Sequence, residues 1–293
     1  RNLSDDIDIY RLAELAEEMK RKQQPLDLLA NALGISYSAL RAKLYRAKKK
    51  IDGDDPFQVD LGEPWELEGD WMVIGDVHVP VTDYDLAMMV AAVAERQHIP
   101  NLLIAGDWFN MDAFSTYDPV ISEPSWEQEK AASRELLDRY SKVFQEIRYL
   151  PGNHDRRISK KNSGVLQPID ILNNQNVMYS IRSWCWYTHP RTGKWRITHP
   201  DKYRKSALSL AGSIAQRHQC NVISFHEHHA GIGMDESGNW IVINGGGLFD
   251  TKKMSYVELE DTGSAAMSRG FVMLKNGYPY LFTDTITDWD MWI

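Results

Sequence analysis

Aspartate, asparagine and histidine residues recur at five places in this sequence, each directly after a short apolar run. The five pieces are Asp76-x-His78, Gly106-Asp107, Gly152-Asn153-His154-Asp155, His199 and His226-x-His228. Carboxylates, imidazoles and amide oxygens form the mixed ligand set that divalent metal ions accept. Each piece alone is more often a turn or a core residue than a ligand. The ordered set of five nevertheless predicts a metal centre, because only five independent coincidences at strand ends would otherwise explain it.

The first three pieces follow an alternation of strand-like and helix-like segments. The apolar runs WMVI, NLLIA and IRYL precede Asp76, Asp107 and Asn153. Between these runs, apolar periodicity predicts helices over about residues 83–97 and 126–146. This β-α-β-α-β order predicts a mostly parallel sheet covered by helices, in which the carboxyl ends of the strands share one edge. The three polar side chains are therefore expected at that edge.

The second half of the chain is richer in strand signals. Strand-like stretches lead into His199 and into His226-x-His228, with a predicted helix over about residues 203–218 between them. Period-two alternation in an extended segment points His226 and His228 the same way. Farther along, Asn276-Gly277 predicts a hairpin with a type I′ turn. Two more strands thus end in histidines.

The N-terminal part differs from the rest in charge. Residues 1–51 carry 11 Lys and Arg against 7 Asp and Glu, a net charge of +4, whereas the remaining 22 against 34 give −12. Apolar periodicity predicts helices over residues 8–22 and about 25–33, and a third from residue 37. With the small residue Ala30 in the second helix, and the turn residue Gly34 and the N-cap Ser36 between the last two helices, this segment resembles the helix-turn-helix of phage and bacterial DNA-binding proteins.

The predicted third helix is strongly basic. Its cations are Arg41, Lys43, Arg46, Lys48, Lys49 and Lys50. These side chains predict contact with nucleic acid phosphates, DNA more than RNA, and the alternative is a basic face that is only solvated. The stretch Asp52-Gly53-Asp54-Asp55-Pro56 indicates a linker. We therefore predict a helical domain over residues 1–51, a linker over 52–69 and a second domain over 70–293.

Composition excludes some classes of protein. The chain has 293 residues, 43% of them hydrophobic and 25% charged, which is typical of a folded globular protein. No run approaches the ~18 consecutive apolar residues of a membrane span, and the first residues lack the order of a signal peptide. Cys185 and Cys220 make no disulfide framework. These features predict a soluble cytoplasmic protein with no membrane partner, and they leave the oligomeric state open.

Taken in order, the five pieces resemble the pattern D-x-H, G-D, G-N-H-D/E, H, G-H-x-H of the calcineurin-like metallophosphoesterase superfamily, over about residues 70–290. The resemblance implies an α/β fold, a two-sheet βαβ sandwich flanked by helices, here joined to the small all-α N-terminal domain. It also implies two divalent metal ions: Mn is the expected ion, and Fe, Zn, Ni and Co suit the same ligands. The ligands it implies are Asp76, His78 and His228 for one ion, Asn153, His199 and His226 for the other, and Asp107 bridging both.

The resemblance also implies catalytic roles. His154 would donate the proton to the leaving oxygen, and Asp107, Asn110 and Asp155 would complete the catalytic set. Two cations about 3.5–4 Å apart lower the pKa of a shared water and neutralise charge on the phosphoryl oxygens.

The sequence departs from the pattern at Phe225, where the superfamily usually has Gly, and at Asn110, where protein phosphatases have Asp and double-strand-break-repair nucleases have His. Asn can orient His154 but cannot stabilise an imidazolium with a full charge, so a different substrate preference is expected.

These features are consistent with three functions. The first is a two-metal phosphodiesterase or nuclease that acts on DNA, in line with GDWFNMDAFS and LPGNHDRR, which resemble phosphoesterases of tailed phages and their bacterial hosts. The second is a phosphomonoesterase for nucleotides or other small phosphate esters. The third is a DNA-binding or assembly protein with a vestigial phosphoesterase body. Trp184, Trp186 and Trp195 suit either base stacking or packing on strand faces, and packing is the favoured interpretation.

Overall fold

A computed structural model describes residues 9–22, 24–41, 43–44, 63–115, 124–162, 166–172, 174, 176–254 and 267–293. The chain divides into two compact units, Arg1–Gly62 and Glu63–Ile293. Each unit has its own cluster of buried apolar side chains. Among the described helices, none has the length and apolar character that a membrane crossing requires.

The described residues of the N-terminal unit form three helices: α1 (Ile9–Arg21), α2 (Leu26–Ala32) and α3 (residues 37–41 and 43–44). Their buried side chains are Leu12, Leu29, Ala30, Leu33 and Leu40. Gly34 has a φ of 65°, a conformation that glycine adopts without strain, and the Ser36 Oγ accepts a hydrogen bond from the Ala39 N–H at 3.2 Å. The predicted turn and N-cap are thus present.

The cations of the basic helix are only partly described. Arg41 is exposed and Lys43 is partly exposed. Arg46, Lys48, Lys49 and Lys50 lie outside the described residues. Contact of this segment with nucleic acid stays a prediction.

The larger unit contains two six-stranded sheets, and the first holds the predicted parallel strands. Its order is β12-β11-β2-β3-β4-β5, and β2 to β5 run parallel. These strands are β2 (Trp71–Ile74), β3 (Asn101–Ala105), β4 (Glu146–Leu150), β5 (Val177–Tyr179), β11 (Gly270–Lys275) and β12 (Tyr278–Thr283). Asn276 and Gly277 join the last two with φ angles of 52° and 85°, as the type I′ prediction requires.

The second sheet is mixed and has the order β1-β6-β7-β8-β10-β9. Its strands are β1 (Glu66–Leu67), β6 (Trp184–His189), β7 (Gly193–Thr198), β8 (Asn221–Ser224), β9 (Ala230–Met234) and β10 (Ile241–Gly245). The edge strand β1 falls inside the predicted linker 52–69 and pairs in parallel with β6. Two residues give no periodic signal of their own, so only this pairing reveals the strand.

Helices pack on the outer face of the first sheet and on part of the outer face of the second. They are α4 (Tyr84–Gln97), α5 (Trp126–Tyr140), α6 (Arg156–Lys161), α7 (Pro168–Leu172) and α8 (Ser209–His218). Helix α5 begins at a capping box formed by Ser125 and Gln128. It ends at Tyr140, six residues before the predicted end, because Glu146 pairs with Asn101 in the sheet. No Gly or Pro marks that end in the sequence.

The sheets pack face to face around an inner core. Val73 and Leu103 of the first sheet share a buried cluster with Tyr187, Ile197 and Ile223 of the second. A second cluster lies between the first sheet and helices α4 and α5. The fold is therefore the predicted two-sheet sandwich flanked by helices, and it brings the strand ends of both sheets to one edge.

Phe225 shows how the chain accommodates its departure from the expected pattern. The ring is fully buried in the inner core. A Cβ atom added to Gly75 would lie 2.5 Å from this ring, and one added to Gly245 would lie 2.3 Å from it. Left-handed backbone occurs one residue later, at His226, with a φ of 87°. The ring therefore fills the space that two glycines leave, and Phe225 itself needs no positive φ.

Candidate metal centre

The structure brings together all the side chains that the sequence predicts as metal ligands. Their donor atoms form three groups, each with all atoms within 4.8 Å of one another. The groups are Asp76–His78–His228, His78–Asp107–His154 and Asp107–His199–His226. Asn153 joins the last group, since its Oδ1 lies 3.1 Å from His199 Nε2. His78 and Asp107 each belong to two groups, so the donors form one continuous row.

Left-handed backbone places several of these side chains. Five of the seven have φ angles between 47° and 87°: Asp76, His78, Asp107, His226 and His228. Such a conformation costs about 1–3 kcal/mol for a non-glycine residue and persists only where the surroundings hold it. Here the loops after β2 and β3 hold each other, because the Asp76 N–H donates to Gly106 O at 3.0 Å and the His78 N–H donates to Asp107 O at 3.0 Å.

Two glycines leave room for the donors. A Cβ atom on Gly106 would lie 2.2 Å from His199 Nδ1. One on Gly152 would lie 2.1 Å from Asp107 Oδ1. Any larger residue at either position would displace a side chain of the centre. The glycines of the Gly-Asp and Gly-Asn-His-Asp motifs therefore serve close approach between strand ends.

One carboxylate oxygen is buried without a donor. Asp76 is fully buried, and its Oδ2 accepts a hydrogen bond from the His226 N–H at 2.7 Å. Its Oδ1 has no hydrogen-bond partner among the described residues. His228 Nε2 lies 3.4 Å and His78 Nε2 3.8 Å from that oxygen. A buried charged oxygen without a donor is costly, and a bound cation between these three atoms removes the cost.

The contacts of His199 also indicate a place for a cation, at the other end of the row. Its Nδ1 lies 3.1 Å from the backbone oxygen of Ala105, which can only accept, so Nδ1 carries a proton. When the ring is neutral, as metal binding requires, its Nε2 presents a lone pair. That lone pair faces Asp107 Oδ2 at 3.2 Å and Asn153 Oδ1 at 3.1 Å. Three acceptors that converge without a proton between them fit a metal ion.

Electrostatics also favour a cation. Burial opposes ionisation of Asp76 and Asp107, yet the neighbouring histidines hold the pKa of both carboxyls well below the ordinary value. Burial likewise opposes the charge on His199, but Asp107 raises its pKa to about 9. Two buried carboxylates thus require positive charge nearby, which protonated histidines or divalent metal ions supply.

His154 is held as a neutral ring. Its Nδ1 donates to the backbone oxygen of Asn110 at 2.7 Å, and its Nε2 accepts from Arg157 Nη2 at 3.1 Å. Burial lowers the pKa of His154 well below its ordinary value; Asp107 opposes this shift, and the charges of His78 and Arg157 add to it. The predicted role as a proton donor therefore requires that Nε2 gain a proton and part from Arg157.

Asn110 orients a different histidine from the one expected. Its side-chain Oδ1 accepts from His78 Nδ1 at 3.2 Å, and its Nδ2 donates to Asp112. Only its backbone oxygen meets His154. The expectation that the Asn110 side chain orients His154 is thus corrected, because the amide is already engaged on both sides. Fixing His78 Nδ1 as the donor turns His78 Nε2 toward the metal site.

Asp155 holds the two loops that carry Asp107 and Asn153. It is fully buried, and its Oδ2 accepts from the N–H groups of Asp107 at 2.7 Å and Gly152 at 2.8 Å. Its Oδ1 accepts from the Phe109 N–H at 3.1 Å. Three backbone donors thus join the loops after β3 and β4 to one carboxylate. Asp155, predicted as catalytic, is a positioning residue, since it contacts backbone rather than the open side of the row.

Sequence reasoning missed two buried acids near the centre. Glu227 accepts from the Arg204 N–H at 3.0 Å and from Asn244 Nδ2 at 3.0 Å, and burial raises its pKa to about 7. Glu129 of α5 accepts from the Met111 N–H at 2.7 Å, and burial raises its pKa to about 8. The predicted alternation of an extended segment is not present at His226 and His228, whose φ angles of 87° and 55° are left-handed, so it carries no information about Glu227.

The chain is similar to known proteins in sequence and in fold. A family model described as calcineurin-like phosphoesterase matches residues 71–236, which include every predicted metal ligand. Comparison with curated proteins gives no match. Among solved structures, Vps29 of Chaetomium thermophilum is similar, with 10% identity, a TM-score of 0.40 and coverage of 74% of this chain and 96% of that chain.

Two further solved structures are similar at the same level. Vps29 of Entamoeba histolytica complexed with Zn²⁺ has 15% identity and a TM-score of 0.40, and the match covers 75% of this chain and 94% of that chain. YfcE, a phosphoesterase from E. coli, has 14% identity and a TM-score of 0.37, and the match covers 71% of this chain and 88% of that chain.

Replacing Gly152 by alanine tests the close approach to Asp107. The added Cβ atom would lie 2.1 Å from Asp107 Oδ1, so this carboxylate must move. We expect Gly152→Ala to weaken Mn²⁺ binding at least about tenfold in isothermal titration calorimetry, as loss of ligand orientation does. The control is Gly212→Ala in α8, where the nearest atom is 3.8 Å away. Equal Mn²⁺ affinity of the two variants would contradict the expectation.

The buried Glu129 predicts a pH dependence of stability. Its pKa is about 8 in the folded chain against an ordinary 4.5, so the stabilisation is fully present below about pH 4.5 and is lost as the pH rises through 8. Relative to Glu129→Gln, the free energy of unfolding should fall by a few kcal/mol across this window, at about 1.4 kcal/mol per pKa unit. Urea unfolding at a series of pH values measures this. Exposed Glu135→Gln is the control, and an unchanged slope in Glu129→Gln would refute the prediction.

Proposed function

We propose that this chain, which belongs to the calcineurin-like phosphoesterase family, hydrolyses phosphodiester bonds in DNA with two divalent metal ions. Family membership makes the chain a metal-dependent phosphoesterase, a hydrolase of ester bonds. The two metal ions, their identity and the DNA substrate are the proposed parts. One observation carries the proposal: the groups Asp76–His78–His228 and Asp107–His199–His226 have no donor in common and are joined by the group His78–Asp107–His154, so the row offers a place for an ion toward each end.

The residues divide between the two places. Asp76, His78 and His228 would hold one ion, and Asn153, His199 and His226 would hold the other, with Asp107 between them. Mn²⁺ is the proposed ion, and Fe, Zn, Ni and Co suit the same donors. Bound divalent ions supply Lewis-acid chemistry: they lower the pKa of a water molecule and neutralise charge on phosphoryl oxygens.

The side chains around the row have separate tasks. Asn110 holds the His78 ring, and Asp155 holds the loop that carries Asp107. His154 is placed to meet the leaving oxygen once its Nε2 is protonated. Arg157 now contacts that nitrogen and pairs with Asp112 at 2.9 Å. A substrate phosphate that draws Arg157 away from His154 would leave the ring free to take up and deliver a proton.

Charge supports a diester rather than a monoester substrate. A phosphomonoester carries one more negative charge than a diester and requires more positive charge from the protein. Arg157 is the arginine that contacts His154, and Asp112 already matches its charge. The uncharged Asn110 adds a neutral amide at that side of the site. A singly charged diester therefore suits the described residues better.

DNA is the proposed substrate because of the N-terminal segment. Residues 1–51 have a net charge of +4 on a chain whose remainder is −12. Arg41, Lys43, Arg46, Lys48, Lys49 and Lys50 would contact phosphates and hold the substrate near the catalytic unit. Such contacts are independent of sequence, so they favour affinity rather than recognition of a particular site.

Model substrates test the reaction. With Mn²⁺, the chain should hydrolyse bis(p-nitrophenyl) phosphate faster than p-nitrophenyl phosphate. Asp107→Asn should lower the rate on the diester at least about 100-fold, because a group shared by both metal places is lost. The exposed Lys142→Gln is the control and should retain the rate. Faster hydrolysis of the monoester would indicate a phosphomonoesterase. If the metal-loaded chain hydrolyses neither substrate, the chain is better explained as a DNA-binding or assembly protein whose phosphoesterase domain is inactive.

The N-terminal cations are tested by substitution in the full chain. Replacing all six by glutamine should abolish the retardation of duplex DNA in a gel shift and reduce the salt dependence of binding. Each lost phosphate contact lowers the slope of log K against log salt by about 0.9. Hydrolysis of bis(p-nitrophenyl) phosphate by the same variant is the control and should persist. Unchanged DNA binding would contradict the proposal that these cations hold the DNA.

A further inference from the structure

The outer face of the second sheet is only half covered by helix. Val222 and Val242 of β8 and β10 pack against Ala211 and Ala215 of α8. Across the sheet, Val222 pairs with Arg196 of β7, and Arg196 pairs with Trp186 of β6. Directly paired residues share a face of a sheet. The face that α8 covers over β8 and β10 therefore continues over β7 and β6, where, among the described residues, the end of α8 reaches it only through His218, whose ring centroid lies 6.5 Å from that of Trp186.

Alternation identifies the side chains on that uncovered part. Cys185, Tyr187, Trp195 and Ile197 point into the inner core. Their neighbours in sequence therefore point outward: Trp184 and Trp186 on β6, and Lys194 and Arg196 on β7. Both tryptophans are partly exposed. We call these four side chains the aromatic–cation face.

The four side chains contact one another. The two indole rings meet edge to face, with centroids 5.3 Å apart. The Arg196 guanidinium lies 3.7 Å from the centre of the Trp184 ring, and Lys194 Nζ lies 3.9 Å from that of Trp186. These are cation–π contacts, which hold a cation without neutralising its charge. Both positive charges thus remain directed at whatever covers the face.

Lys194 and Arg196 differ from several other basic side chains of the larger unit in having no ion-pair partner among the described residues. Arg148, Arg157 and Arg269 each form an ion pair with a carboxylate. In the part of the chain that the structure describes, no carboxylate lies within 4.0 Å of the charged groups of Lys194 or Arg196. The exposed Glu66 pairs with Trp186 in the sheet and accepts a hydrogen bond from Thr188. Desolvation lowers the pKa of Arg196 to about 10, which leaves it charged at neutral pH.

The aromatic–cation face begins at the metal centre. Trp184 pairs with Thr198, the residue before His199. The backbone N–H of His199 also donates to Ser183 O at 2.8 Å. Trp186 follows two residues farther along β6, about 7 Å away at the usual rise of a strand. The face thus leads from the edge that holds the metal ligands outward along the β6–β7 hairpin.

We propose that the aromatic–cation face binds single-stranded nucleic acid and guides it to the metal centre. Unstacked bases stack on indole rings and on guanidinium planes, while Lys194 and Arg196 meet the phosphates. A duplex offers no free base faces, so the face selects single strands. This inference rests on the proposed function and narrows its substrate to a single-stranded segment.

The test measures binding separately from hydrolysis. Fluorescence anisotropy reports binding of a short labelled oligothymidylate with phosphorothioate linkages, which slow hydrolysis. The parent is the full chain with its six N-terminal cations replaced by glutamine, so that these cations do not contribute. Trp186→Leu and Arg196→Gln are each introduced into this parent, and Lys142→Gln is the matched control. Thermal melting verifies that each variant is folded.

Both variants should bind about tenfold more weakly than the parent, as loss of one stacked base does. Arg196→Gln should also lower the salt slope by about 0.7, the value for one phosphate of a single strand, whereas Trp186→Leu should leave the slope unchanged. A parent that binds no oligothymidylate, variants that bind as tightly as the parent, or an equal loss with a duplex would each overturn the proposal.

Failure of the proposed function has a different signature. If the unmodified chain hydrolyses no bis(p-nitrophenyl) phosphate, the phosphodiesterase proposal fails, and the anisotropy comparison still decides the docking face. Displacement of the oligothymidylate by polyglutamate at equal charge concentration would indicate an acidic peptide as the partner and would overturn the nucleic acid assignment. Resistance to polyglutamate supports stacking as part of the binding.

Discussion

Two buried carboxylates determine how the rest of the catalytic unit is built. Asp76 and Asp107 are almost completely removed from water, yet their pKa values are held low, so both carry charge. Isolated charges in such a place are unfavourable by many kcal/mol. Positive charge must therefore be concentrated around them, and histidines from four separate strand ends surround them. A site of this kind binds divalent cations because the protein without them is electrostatically incomplete.

The sandwich makes this arrangement possible. The first sheet supplies Asp76, Asp107 and Asn153, and the second supplies His199 and the His226-x-His228 pair. Neither sheet alone contains a complete donor row. The inner core fixes the two sheets against each other, and Phe225 fills the gap left by Gly75 and Gly245 close to the centre. Packing of apolar side chains is thus the means by which distant polar ligands keep their distances.

Backbone strain is concentrated at the same edge. The left-handed residues of the centre are held by hydrogen bonds between neighbouring strand ends and by the carboxylate of Asp155, which accepts from three backbone N–H groups. The aromatic–cation face continues from this rigid edge. A substrate that lies on it would meet first a surface that stacks bases and then the donor row, to which the same hairpin contributes His199.

The sequence alone determined the β-α-β-α-β order of the first sheet and the polar residues that follow the strands of both sheets. Local signals suffice for this, because parallel strands deliver their carboxyl ends to one edge whatever the details of packing. The tertiary structure decided which atom meets which. The partner of Asn110 proved to be His78, α5 ended at Tyr140, β1 appeared within the predicted linker, and only Trp195 of the three tryptophans entered the core. Each of these outcomes depends on contacts between residues far apart in the chain, about which local patterns carry no information.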